Sequence, residues 1–203
     1  MSQIALPLPT GDGSQAARIV VGNGNAAVVE ALRDPSGWPF GTAVLTGPSR
    51  SGKSLLASWF EAEGLGQVVD AADRADETAL FHRWNRAQEN GERLLLVSNA
   101  QPWTIALPDL RSRLDAALQL EIAAPDDAML AELIMAHAGQ RRLALGADAT
   151  TYLVPRASRS YASVERLVAT IDRLSLERKA PATLGIWREA LEALHGPEQA
   201  RLL

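Results

Sequence analysis

Short, wholly apolar runs alternate with longer segments of helical spacing over the first 120 or so residues. Thr42-Ala43-Val44-Leu45-Thr46 and Leu94-Leu95-Leu96-Val97 are too short and too uniformly apolar for amphipathic helices, and they predict buried strands. Gln67-Val68-Val69-Asp70 predicts another strand, and Leu118 to Ile122 a fourth. Helices are predicted between them. The first runs from Ala26 to Leu32 and is broken by Pro35-Ser36-Gly37. The second runs from Lys53 to about Glu63 and is ended by Gly64 and Gly66. The third covers Asp76 to Gln88, with Asn90-Gly91 as its stop. Strands alternating with helices imply a parallel sheet covered on both faces.

The pattern changes after Pro125. Met129, Leu130, Leu133, Ile134 and His137 fall on one helical stripe, and Val164, Leu167, Val168, Ile171 and Leu174 on another. A last helix is predicted over Leu184 to Leu194, and no strand signal is found here. Residues 1–17 read as a flexible arm, because an extended segment is followed by Gly11, Gly13 and Ser14. The expected organisation is therefore an arm over 1–17, an α/β base over 18–123 and an all-helical piece over 124–203.

Composition narrows the function classes. The chain has 203 residues, 47% of them hydrophobic and 22% charged, enough to bury a core. It contains no cysteine, which excludes disulfides, thiolate metal sites and cysteine nucleophiles. Its net charge of −4 argues against broad adhesion to nucleic acid. Residues 1–122 carry 10 Lys+Arg against 14 Asp+Glu, and 123–203 carry 10 of each, so neither part is a basic module. With no secretory pattern at the N-terminus and no apolar run of membrane-spanning length, a cytoplasmic location is expected.

Chemistry concentrates at Gly47-Pro48-Ser49-Arg50-Ser51-Gly52-Lys53-Ser54, which matches a phosphate-binding P-loop between a strand and a helix. In that context successive backbone N–H groups and the positive end of the helix dipole face a phosphate. Gly47 and Gly52 allow the tight turn, Lys53 reaches β- and γ-phosphate oxygens, and the Ser54 hydroxyl helps hold Mg²⁺. A purine nucleoside tri- or diphosphate is the implied ligand. Asp70, at the end of a neighbouring strand, is the candidate carboxylate for the metal's water shell. The next position, where a hydrolytic P-loop protein usually carries a second acid, is Ala71. Asp73 substitutes for it only if the turn points it back. The pattern thus favours nucleotide binding over rapid hydrolysis.

These features resemble the AAA+ ATPases, and within them the DnaA-related Hda family, the short regulators that inactivate the replication initiator DnaA. The likeness runs along nearly the whole chain. Ile19-Val20-Val21-Gly22-Asn23-Gly24-Asn25 resembles the segment that surrounds adenine, which implies base contacts from Val20, Val21 and Gly22. Val68-Val69-Asp70 resembles the Walker B strand. Val97-Ser98-Asn99-Ala100-Gln101-Pro102 resembles sensor 1, which places Asn99 near the γ-phosphate. Leu107-Pro108-Asp109-Leu110-Arg111-Ser112-Arg113-Leu114 resembles the arginine-finger segment. It implies that Arg113, with Arg111 as a second choice, acts on a nucleotide bound by a neighbouring subunit. In the helix Val164 to Leu174 the sensor 2 arginine position holds Glu165, followed by Arg166. Neighbouring helix positions point about 100° apart, so the role stays open between Arg166 and Arg159.

Gln3-Ile4-Ala5-Leu6-Pro7-Leu8 resembles the peptide with which replication factors bind the sliding clamp of DNA polymerase III. An extended arm can place Gln3 in a polar pocket and Ile4, Leu6 and Leu8 against apolar surface, while Pro7 limits the entropy lost. The family's sheet has the order 5-1-4-3-2. Only 16 residues separate Lys53 from Asp70 here, too few for the usual helix, strand and helix. The expected sheet is therefore four-stranded, in the order 5-1-4-3, with an edge strand lost. The chain is expected to carry no helix-turn-helix module after its helical piece and no initiator-type N-terminal assembly domain. The resemblance then implies a regulator with bound ADP or ATP and Mg²⁺. It would be tethered to the clamp, act on DnaA, be capable of self-association through AAA+ faces, and have neither sequence-specific DNA binding nor membrane attachment. The competing readings are an interaction module with a decayed nucleotide site, suggested by Ala71 and Glu165, and a small-molecule P-loop kinase.

Overall fold

The computed structural model describes residues 19–195; the arm peptide Gln3, Ile4, Leu6, Pro7 and Leu8 lies outside them. The chain divides into two compact units between Ala123 and Ala124. The first contains α1 (Ala26–Arg33), β1 (Thr42–Thr46), α2 (Lys53–Ala62), β2 (Gln67–Val69), α3 (Glu77–Asn90), β3 (Leu94–Val97), α4 (Pro108–Asp115) and β4 (Leu118–Glu121). The second contains α5 (Asp127–Gln140), α6 (Ala147–Leu153), α7 (Tyr161–Arg178) and α8 (Leu184–His195).

The first unit is built on a four-stranded sheet in the order β2-β3-β1-β4, with every pairing parallel. In the family's strand numbering that is 5-1-4-3 read from the other edge. The two central strands are the most apolar. Ala43 and Leu45 of β1, and all four residues of β3, are fully buried or nearly so. On one side of the sheet Val44, Leu94 and Leu96 pack with Leu80 and Trp84 of α3 and with Leu110 and Leu114 of α4. Removing such side chains from water is worth about 1.5–3 kcal/mol each, so this seam carries much of the unit's stability.

Helix ends follow local chemistry. Asp76 caps α3 by accepting the Ala79 N–H at 2.8 Å, and Gly91 closes that helix in a left-handed conformation. Asp126 caps α5 in the same way through the Met129 N–H. In the helical unit Leu130, Ile134 and Ala138 of α5 interlock with Val164, Leu167, Val168 and Ile171 of α7 and with Ile186, Trp187 and Ala190 of α8. Two helices are additional to those the hydrophobic pattern predicts: α4 over the arginine-finger segment, and the seven-residue α6.

Register decides where the loops of the first unit gather. Leu45 stands beside Val97, Leu96 beside Val69, and Thr46 beside Glu121. The segments that begin at Gly47, Ser98, Asp70 and Ile122 therefore leave the sheet along one edge, the carboxyl ends of its strands. Ligands of parallel α/β sheets bind at that edge.

Candidate functional site

The loop from Gly47 to Gly52 takes the backbone shape its sequence demands. Gly47 has φ +148°, and a Cβ there would lie 2.8 Å from Ile122 Cβ and 3.0 Å from its carbonyl oxygen. Only glycine fits between β1 and the end of β4. Gly52, at φ +89°, serves as the N-cap of α2 and leaves that helix's first N–H groups aimed at the loop. Arg50 also adopts positive φ, +64°.

Lys53 is almost completely buried, and its Nζ donates to the carbonyls of Gly47 and Pro48, at 2.9 Å each. The ammonium thus occupies the loop's own hollow. Burial lowers its pKa below the usual lysine value, and the charges of Asp70 and Asp73 act in the opposite direction. Beside it the Ser51 hydroxyl is buried and finds no hydrogen-bond partner among the described residues. A buried cation that bonds only carbonyls, next to an unsatisfied hydroxyl and a helix N-terminus, fits an incoming phosphate oxygen. Ser54, on the first turn of α2, is exposed, as is Asp70. Their oxygens are of the hard type that Mg²⁺ prefers, so both can take part in holding the metal carried by a nucleotide. Asp70 Oδ1 accepts the N–H of Ala71 at 2.8 Å.

The turn after Asp70 does point Asp73 back. Asp73 Oδ1 accepts the Asn99 N–H at 2.9 Å, which fastens the end of β2 to the end of β3. The Asn99 side chain remains exposed at that edge. The two segments read as Walker B and sensor 1 are thereby joined, and Lys53 feels both aspartates. Sequence reasoning named this geometry only as a condition. Its one local signal was the run of small residues, Ala71-Ala72, which permits a tight turn.

Ahead of the P-loop, Val20, Val21 and Gly22 form a half-buried segment held by a residue the sequence reading did not single out. Asn25 is 3% exposed, accepts the Gly22 N–H through Oδ1 and donates through Nδ2 to the Val20 carbonyl, both at 2.9 Å. The next link is backbone: Ala123 N–H donates to the Gly24 carbonyl at 2.9 Å. This segment is thus tied to the strand end that also walls in Gly47.

Arg113 lies on α4 with its guanidinium over two rings of α3, 4.3 Å from the Trp84 centroid and 4.9 Å from that of Phe81. Arg111 is turned to the Ile105 carbonyl, which both its Nε and one terminal nitrogen contact. Of the two, Arg113 has the weaker polar engagement. In the helical unit Arg159 pairs with Asp127 at 2.9 Å, while Arg166 is exposed on α7 and bonds the Ala162 carbonyl and Ser163 Oγ.

No family model matches the chain. Solved structures do. Domain III of the Thermotoga maritima replication initiation protein DnaA superposes with a TM-score of 0.71 at 14% identity, over 87% of this chain and 95% of that one. The fold is AAA+. AMPPCP-bound DnaA from Aquifex aeolicus gives 0.59 at 20% identity, over 79% of this chain and 65% of that one, so this chain spans about two thirds of that protein. A variant of Thermotoga maritima RuvB gives 0.63 at 15% identity, over 88% and 70%. Among the described residues no helix is long and apolar enough to cross a membrane.

Proposed function

We propose that this chain is an Hda-like AAA+ regulator of replication initiation, which binds an adenine nucleotide and acts on the initiator DnaA from the sliding clamp. The observation that carries the nucleotide reading is Lys53, held inside the Gly47–Ser54 loop on the carbonyls of Gly47 and Pro48. Phosphate oxygens exchange for those carbonyls as stronger, charge-assisted partners. The solved DnaA from Aquifex aeolicus carries the ATP analogue AMPPCP, which supports ATP or ADP as the ligand. Val20, Val21 and Gly22 then line the base; Pro48, Ser49, Arg50, Ser51 and Gly52 wrap the phosphates; Ser54 and Asp70 hold Mg²⁺; Asn99 faces the γ-phosphate. Arg166 of the helical unit is the sensor 2 choice of this reading.

The regulatory part rests on the likeness to DnaA domain III and on the arm peptide. Gln3, Ile4, Leu6, Pro7 and Leu8 dock on the clamp, and Arg113 reaches the phosphates of nucleotide bound to DnaA. In doing so it leaves the faces of Trp84 and Phe81. A partly buried cation–π contact is worth about 0.5–2 kcal/mol. The roughly 10³–10⁵ in rate that an arginine supplied in trans contributes corresponds to about 4–7 kcal/mol of transition-state stabilisation, which outweighs it. The test is ATP hydrolysis by DnaA with clamp loaded on DNA. Arg113→Ala is expected to abolish the stimulation and Gln3→Ala/Leu6→Ala to lose clamp pull-down. Full stimulation by Arg113→Ala would sink the mechanism.

A further inference from the structure

The chain has lost the acid that normally follows the Walker B aspartate, and the structure brings a different one to the same strand end. We propose that Asp73 supplies the water-activating carboxylate that position 71 lacks, so that this protein hydrolyses its own bound ATP; the proposal rests on the nucleotide-binding reading above.

Three observations place the group. Ala71 sits in the left-handed region at φ +51°, which reverses the chain directly after Asp70. Alanine rarely adopts that conformation, so something beyond local preference holds it. The tight turn Ala72–Arg74 follows, closed by the Arg74 N–H on the Ala71 carbonyl at 2.9 Å, and Ala72 is 1% exposed, anchoring the turn in the core. Asp73 Oδ1 then accepts the Asn99 N–H at 2.9 Å, just past the carboxyl end of β3, the strand that pairs with the P-loop strand β1. Its carboxylate thus stands against the sensor 1 backbone, at the same strand-end edge from which the Gly47–Ser54 loop leaves the sheet. A carboxylate held at that edge, just past a left-handed alanine, is suited to work on the terminal phosphate of a nucleotide bound in the loop.

In the step, a water held by Asp73 attacks the γ-phosphorus and gives its proton to the carboxylate. The bond to the β–γ bridging oxygen breaks, the electron pair leaves with ADP, and the proton departs with inorganic phosphate. Only MgATP and water are consumed.

Asp73→Asn separates this role from a structural one, because an amide oxygen still accepts the Asn99 N–H while charge and basicity are gone. The full chain is titrated with MgATP by calorimetry, followed for phosphate release in single turnover, and checked without nucleotide through hydrogen exchange of the Asn99 amide. The expected result is an Asn99 amide that stays protected from solvent exchange and a Kd within about twofold of wild type, with hydrolysis reduced by about 10²–10⁴, the usual range for a general base. Asp73→Ala should lose the protection of the Asn99 amide and lose hydrolysis as well. Wild-type hydrolysis by Asp73→Asn overturns the proposal, as does a wild type that binds MgATP and releases no phosphate above the protein-free rate. If wild type binds no MgATP, the nucleotide reading fails and this inference fails with it.

Discussion

Asn25 makes the sharpest stability prediction, because its buried side chain holds two backbone groups of the segment ahead of the P-loop. Asn25→Ala removes the acceptor of the Gly22 N–H and the donor to the Val20 carbonyl. Each net bond is worth about 0.5–1.5 kcal/mol, and a stranded, partly buried partner costs about 1–3 kcal/mol. The two stranded groups are half-exposed, so the lower part of that range applies and the sum is about 2–4 kcal/mol. For a chain of this length that lowers Tm by about 4–16 °C. Helix α1 should survive, since the Asn25 side chain makes no capping bond and the Val29 N–H uses the Asn25 backbone carbonyl. Far-UV dichroism before melting should therefore match wild type. Binding divides more sharply. On the proposed reading the P-loop carries the phosphates and Val20–Gly22 the base, so ATP should bind about tenfold more weakly, a loss of about 1.4 kcal/mol, while tripolyphosphate stays within about twofold. A variant that melts within about 1 °C of wild type, or one that loses ATP and tripolyphosphate equally, would refute the assignment of Asn25 to the base-side segment.

Two further predictions concern the loop itself. Burial lowers the Lys53 pKa and the two aspartates raise it, so phosphate affinity should fall with rising pH earlier than for an ordinary lysine, and Asp70→Asn should move that alkaline limb to still lower pH; calorimetric Kd against pH checks this, and Lys53→Arg should remove the limb. Gly47→Ala should cost more than Gly52→Ala, because the first adds a Cβ 2.8 Å from Ile122 as well as an unfavourable φ, whereas the second meets nothing within 4 Å. Thermal melts should show about 1–2 kcal/mol for Gly52→Ala and a further 1–3 kcal/mol, roughly, for the crowded site.

Much of this was legible because it depends on short-range pattern. Apolar runs such as Leu94–Val97 can only be buried strands, and the P-loop is contiguous, so its shape follows from Gly47 and Gly52. The rest depends on contacts between distant segments. Nothing local marks Ala71 as left-handed, so the position of Asp73 follows only once β2 and β3 are in register. The stacking of Arg113 joins α4 to α3 across 29 positions of sequence (113 − 84), and Trp84 reads as ordinary core. Helix α6 escaped for a different reason. Its sequence Ala-Asp-Ala-Thr-Thr-Tyr-Leu buries only Ala149 and Leu153, too few positions to establish a period. Asn25 was visible as a turn residue, but a turn asparagine is common, and its burial is what gives it weight.

The shortened sheet ties these points together. Without the outer strand that the resemblance leads one to expect, β2 is an edge: its three residues are half-buried, whereas β3 beside it is fully buried. That absence is tolerable for the P-loop strand, which has β3 and β4 as neighbours. It falls on the strand that positions Asp70. An edge strand exposes unpaired polar backbone, and here Arg83 covers part of it by donating to the Val68 carbonyl at 3.0 Å. The Asp73–Asn99 bond then fixes the far end of the same strand to the sheet's centre. The carboxylate proposed as the water activator thus also steadies this edge strand. Selection for either role would retain Asp73, which is why the charge-removing, shape-keeping change to asparagine is the informative one.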